Sequence, residues 1–334
     1  MPVFNFDGYS IIVRHPGIQN TGDFKMTNPY FYEQPIYTYI ASSLHLEPAN
    51  LRLFPTISSL PEDDHVLFNL FDLIPNASFL INENAPRFSD TYETLLQSQP
   101  DSFTTTIAKK NFENPSYWLP PDLPRELPKI PIYTPTSANI SDSIMQGASL
   151  DFELDSSKYP SFTDVLYPSF PNFIVNQSFR LFNQIAKDNR FIFKLHFDNI
   201  VNLPIRARGW FSQGAFTQAF QSGGKGWVTG PGTVTWDNLF GENGVLKFIY
   251  NGILAVSGIK LELQSFGQYD DTMLPKSIET FSVWPFYADV ENMVQNYVIN
   301  KDGSITITSQ VSSSNVLLLA MTSVSIKSLL GYSA

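Results

Sequence analysis

The sequence predicts a mainly β protein made of two jelly-roll or β-sandwich modules with a few short helices. Three observations predict it. Segments of strict period-two alternation recur along the chain, turns are built from Gly, Pro and Asp-Gly, and the two halves break regular structure with different residues. Twenty of the 24 prolines lie between Pro2 and Pro171, whereas 14 of the 18 glycines lie from Gly209 onward. Proline fixes its own φ and offers no N–H to a ladder, so its density favours short strands, sheet edges and extended loops. The expected division is a proline-rich module over 1–170 and a glycine-richer module over 171–334, and 334 residues suffice for both.

In chain order, a strand is expected at 9–14, a helix at 35–46 and a strand at 66–73. A helix follows at 89–97, where Asp90 and Glu93 have capping-box spacing and Pro100 ends the pattern. Residues 114–135 hold seven prolines and read as an extended arm. Trp118, Leu119, Leu123, Leu127 and Ile130 make that arm too apolar for a solvated spacer, so it should lie against a surface, its own or a neighbour's. Leu150, Phe152 and Leu154 alternate with Asp151 and Glu153, a strand pattern. From Pro171 to about 188 apolar residues recur at three and four, predicting the helix that opens the second module.

Phe191, Phe193, Leu195 and Phe197 alternate with Ile192, Lys194, His196 and Asp198, predicting a half-buried strand. Further strands are expected over 227–236 with a turn at Gly230-Pro231-Gly232, which would set Trp227 and Trp236 across a hairpin, and at 245–255 and 259–263. A helix is expected at 287–297. The Lys301-Asp302-Gly303 turn leads into a strand at 304–308, and a last strand covers 316–326.

Charged residues make up 16% and aromatics 14%, with 28 Phe, which is too apolar for disorder. The net charge of −10 disfavours wrapping a phosphate backbone, so no direct nucleic-acid binding is expected. Cysteine is absent, which excludes disulfides, thiolate catalysis and Cys-ligated metals. Residues 1–8 show no leader pattern, and the apolar stretch 316–321 is far shorter than a membrane-spanning helix needs, so a soluble protein is expected. The sequons at Asn76, Asn139 and Asn176 are read as chance matches.

Catalytic signatures are missing. His15, His45, His65 and His196 are scattered without ligand spacing, and no Gly-x-Ser-x-Gly occurs. The stretch Ser222-Gly223-Gly224-Lys225-Gly226 lacks the Walker pattern, because Gly226 stands where Ser or Thr must follow the Lys. Asp151, Glu153 and Asp155 share one strand face and are the candidate ligands for a hard cation such as Ca²⁺, although no EF-hand spacing is present; a solvated or subunit-edge acidic face is the expected alternative. No other cofactor is indicated. Trp118, Trp210, Trp227, Trp236 and Trp284 are the natural anchors if a carbohydrate binds.

Low charge, the apolar proline-rich arm and two β-rich halves separated by a helix together resemble the jelly-roll capsid proteins of icosahedral viruses, particularly the double-barrel type. The resemblance spans the chain and rests on pattern. It implies a non-enzymatic virion protein that assembles with copies of itself, as trimers in a larger lattice, with Trp118, Leu119, Leu123, Leu127 and Ile130 as interface candidates. The first 50 residues contain only Arg14 and Lys25 as strong cations, where genome-condensing capsid proteins carry a basic arm. That suits a shell lined by other proteins or by a membrane. A secreted or cell-surface carbohydrate-binding sandwich is the second expectation, and a β-fold glycosidase with two distant carboxylates the third.

Overall fold

The computed structural model describes residues 4–6, 9–11, 35–75, 81–82, 84–122, 128–155, 157, 190–228, 230, 232–269 and 293–332. The expected helix at 171–188, Leu123, Leu127 and Trp284 lie outside these residues. Among the described residues strand accounts for 35% and helix for 30%, so the fold is mainly β, but its helices are not few. Near the start, β1 (Phe4–Phe6) pairs antiparallel with β2 (Tyr9–Ile11).

The centre is one antiparallel seven-stranded sheet. Its trunk is β10 (Phe248–Ser265), paired along one side with β8 (Phe191–Pro204), which in turn pairs with β7 (Ala148–Asp155). Two strands lie end to end along the other side of β10: β12 (Ile305–Gln310) beside residues 260–265 and β13 (Val316–Ser325) beside 248–257. Outside them run β11 (Val294–Ile299), against β12, and β3 (Leu51–Ser59), against β13. Because β3 and β7 precede residue 170 and the rest follow it, the two compositional halves share this sheet among the described residues.

The alternating apolar residues place one face of that sheet in a core. Phe191, Phe193, Leu195 and Phe197 are all at most 2% exposed, and they join Leu261, Leu263, Ile305 and Ile307. A one-residue slip would expose four large side chains, each worth roughly 1.5–3 kcal/mol when buried, and this sets the register. Helix α1 (Pro35–Ser43) contributes Ile40 and Ala41 to the same core, and it ends three residues short of the helix expected over 35–46.

Among the described residues, helices cover part of the opposite face. α2 (Asp64–Phe71), α3 (Phe88–Ser98), α4 (Phe103–Glu113), α5 (Ser137–Ile144), α6 (Gln213–Ser222) and α7 (Trp236–Phe240) pack Leu67, Tyr92, Ile140 and Phe216 with Ile253, Ala255 and Leu318 in a second core. The chain closes this region with the short α8 (Ile326–Leu329). The strand expected at 66–73 is helix α2. Its N-cap is Asp63, whose carboxylate accepts from His65 N–H at 2.8 Å, and this cap turns an apolar run of ambiguous period into a helix. Among the described residues of 227–236 there is no strand pair: Thr233 N–H donates to Gly230 O, α7 begins at Trp236, and Trp236 packs on Phe220 and Phe240. The helix expected at 287–297 is corrected for the residues described, since Val294–Ile299 is strand.

Gly258 marks the boundary between covered and uncovered sheet. Val256 and Ile259 both face the first core, as do their neighbours Ile200 and Phe197 on β8, so the alternation skips in both strands at one place. Gly258 has φ of 62° there, in the left-handed region. Beyond it the face opposite the core changes from apolar under the helices to Lys260 and Glu262, both outside either core.

Candidate functional site

The uncovered part of the sheet presents a polar row across β7, β8 and β10, with a shallow groove of about 480 Å³ lined by Asp151, Glu153, Lys194, His196, Lys260 and Glu262. Strand register builds it. Asp151 stands opposite His196 and Glu153 opposite Lys194, while Lys194 and His196 stand opposite Glu262 and Lys260. Lys194 Nζ lies 2.8 Å from Glu262 Oε1, and that hydrogen bond raises the lysine above its ordinary range. His196 is a strut between two carboxylates: Nδ1 is 2.6 Å from Asp151 Oδ1 and Nε2 is 2.9 Å from Asp198 Oδ1. Partial burial pulls Asp198 upward, but hydrogen bonds from Lys260, at 3.1 Å, and His196 outweigh it and hold the carboxyl below the usual value.

The three acids expected as cation ligands each stand against a basic side chain. Asp151 meets His196, Glu153 faces Lys194, and Asp155 takes Arg190 in a two-point pair, Nη2 to Oδ2 at 2.9 Å and Nε to Oδ1 at 3.3 Å. The Arg190 bonds, with Ser157 adding to them, lower Asp155 to about 2. Among the described residues no group of three His, Cys, Asp or Glu side chains has metal-binding geometry. The row is a charge lattice satisfied by itself, each exposed pair worth about 0–1 kcal/mol.

Within the arm, Trp118 and Leu119 form the short strand β4, paired with Ile130 and Pro131 of β5. Ile130 is buried in the second core, Leu119 packs half-buried against that core, and half-buried Trp118 meets the rings of Phe112 and Trp210. The Trp118 indole donates to Phe112 O at 2.7 Å, and Trp210 donates to Ile132 O at 3.0 Å. The described arm is therefore docked on its own chain. Trp227 and Trp236 also donate within the chain, to Ser222 Oγ and Phe220 O, so all four described tryptophans serve packing.

The sheet's outer strands differ from one another. Asp151 O on β7 accepts the Tyr39 hydroxyl at 2.6 Å, so α1 caps that edge, which also carries three acids. On β3, Leu53 O accepts from Ile81 N–H at 3.0 Å. β11 is unlike both: its sequence Val-Gln-Asn-Tyr-Val-Ile has no charge, it pairs only with β12 among the described strands, and Val294, Tyr297 and Val298 are 48, 41 and 57% exposed. Proteins commonly guard edge strands with charge, proline or cover, and β11 has neither charge nor proline. Sequence reading missed this strand although its signal was present, since the Lys301-Asp302-Gly303 turn implies a strand before it as well as after.

No family model, no curated protein and no solved structure matches the chain. No helix among the described residues is long and apolar enough to cross a membrane.

Proposed function

We propose that this chain is a non-enzymatic structural protein that assembles with copies of itself, in the manner of a viral shell protein. The single observation that carries the reading is β11, an uncharged edge strand exposing Val294, Tyr297 and Val298 on a protein of net charge −10. Exposed apolar side chains gathered on one strand gain when a partner covers them. Among the described residues Tyr39 bonds the β7 edge and Ile81 bonds β3, whereas β11 carries the exposed apolar side chains. The arm at 114–135, expected to make the contacts, supports assembly less directly because Trp118, Leu119 and Ile130 pack on their own chain. A double jelly roll is not needed for this reading, nor is calcium. Trimers in a lattice lined by other shell proteins or a membrane are the proposed context, in a virion.

The polar row supports the reading in a second way. Its charges are mutually matched rather than arranged around a free nucleophile or an unmatched acid and base, as a glycosidase would require. The carbohydrate reading lacks exposed tryptophan anchors among the described residues. Electron microscopy of the purified protein is the test: ordered shells, sheets or uniform oligomers are expected, and a field of monomers alone would overturn the proposal.

A further inference from the structure

We infer that Arg52 is the centre of a binding site for an oxyanion, the phosphate or carboxylate group of a ligand. The inference goes beyond the assembly reading and stands without it. Arg52 lies on β3 between Leu51 and Leu53, which face the first core, while Phe54 joins the second. Alternation therefore turns Arg52 to the helix side of the sheet, opposite Met321 of β13. It is 3% exposed there, and Arg52 and Asp72 are the only charged side chains buried among the described residues. Those two do not meet. Asp72 is held by Ser89 and Tyr133, and the cation it feels is Arg87. Arg52 makes no ion pair among the described residues, and its hydrogen bonds run from Nη1 alone, to Ala49 O at 2.6 Å and Leu51 O at 3.0 Å. Nε is buried without a partner.

A guanidinium does not lose its proton in a protein, so Arg52 cannot relieve its burial by becoming neutral. A buried charge is costly when it stands alone and tolerated when an opposite charge is hydrogen-bonded to it. The two carbonyls supply dipoles but no charge. They also fix the plane of the guanidinium, and the edge they leave unsatisfied is that of Nε, which together with Nη2 takes two oxygens of one carboxylate or phosphate. Tyr250, 7% exposed and part of the same helix-side core, adds a second donor. Burial pushes its hydroxyl well above the ordinary tyrosine range while the Arg52 charge pulls the other way, and no hydrogen bond to the hydroxyl contributes. The hydroxyl therefore keeps its proton and can donate it. A fixed positive charge with a protonated hydroxyl in range selects an anion that has several acceptor oxygens. Enclosure strengthens the attraction, because charges held out of water are less screened.

Inorganic phosphate is the probe, with acetate as the carboxylate arm and chloride as the control, all at one ionic strength and one pH. On the full chain, phosphate or acetate is expected to raise the melting temperature saturably, by about 2–4 °C at roughly a hundredfold excess over the dissociation constant, and chloride is not. The stronger arm tells which oxyanion the site takes. Each variant is read against its own value in chloride, so a change in its basal stability does not enter. Arg52→Met keeps an apolar stem without the charge and is expected to lose the oxyanion response. Arg52→Lys keeps the charge without the fork and is expected to need about tenfold more anion or more for the same rise. A wild type that responds to neither phosphate nor acetate overturns the inference with no variant needed. So does a response that Arg52→Met retains in full. Self-association is read separately, by mass, so none of these results bears on the assembly reading.

Discussion

The Tyr39 hydroxyl donates to the backbone carbonyl of Asp151 at 2.6 Å, joining α1 to the outer strand of the sheet across 112 residues of sequence, and the Tyr39 ring lies 5.1 Å from that of Phe152. The bond closes one sheet edge and leaves the ring in packing contact. Tyr39→Phe keeps the ring and removes the bond, so a loss of about 0.5–1.5 kcal/mol is expected. Urea unfolding reads it as a lower midpoint with unchanged slope. An unshifted midpoint would show that the bond does not hold the edge.

Gly258 and Asp198 form a second such pair. A Cβ on Gly258 would overlap the Asp198 carboxylate, and φ of 62° is strained for any other residue there. Gly258→Ala should destabilise by more than the roughly 1–2 kcal/mol of left-handed strain alone. In that background Asp198→Ala should cost less than it does in the wild type, because it also relieves the overlap. Equal costs in the two backgrounds would contradict the close packing.

Asp72 makes stability depend on pH through the helix layer. Its carboxylate accepts from Ser89 N–H at 3.0 Å, Ser89 Oγ–H at 2.5 Å and Tyr133 O–H at 2.6 Å. Burial nevertheless outweighs these bonds and raises it from 3.8 to about 6. The folded state thus holds the proton more tightly than the unfolded chain. The associated stability is complete below about pH 4 and is lost as pH rises through about 6, a change of about 3 kcal/mol at roughly 1.4 kcal/mol per pH unit. Subtracting Asp72→Asn unfolding energies from wild-type values at pH 4 and pH 7 isolates it. A difference that is constant or rises with pH would contradict the sign.

Adjacent positions on β8 should behave oppositely. Phe193 is fully buried, so Phe193→Ala should cost about 3–5 kcal/mol. Lys194 is half exposed and its pair with Glu262 is screened by water, so Lys194→Ala should cost under about 1 kcal/mol. Comparable losses at both positions would mean that the two faces are not distinguished as described.

The β8 face was legible because alternation of Phe and Leu with polar residues has one physical solution, a half-buried strand. The 89–97 helix was legible from its stop at Pro100, but not from its cap: the helix starts at Phe88 with Arg87 as N-cap and no side-chain cap bond, and Asp90 lies inside the first turn, so the expected Asp90 and Glu93 capping box does not form. Val66 to Leu73 was not, because a short apolar run fits both periods and only the cap at Asp63 decides between them. The ionic lattice was half visible: sequence shows Asp151, Glu153 and Asp155 on one face, but their partners Lys194, His196 and Arg190 come from a strand about 40 residues later, and only register joins them. Docking of Trp118 on its own chain depends on contacts with Phe112 and Trp210, and that of Ile130 on pairing with Leu119, which no local pattern encodes. β11 went unread as a strand because Tyr and Val at mixed spacing tolerate a helical reading, although the following Asp-Gly turn favoured a hairpin.

Self-association is the central claim, and light scattering over protein concentration and ionic strength tests it most directly. The net charge of −10 opposes contact at low salt, and screening over about 10 Å at 0.1 M weakens that repulsion without weakening apolar contacts at Val294, Tyr297 and Val298. The account predicts a mass above that of the 37.7 kDa chain, rising with concentration and with moderate salt. A mass that stays at that of a single chain up to high micromolar concentration, at every ionic strength, would contradict it.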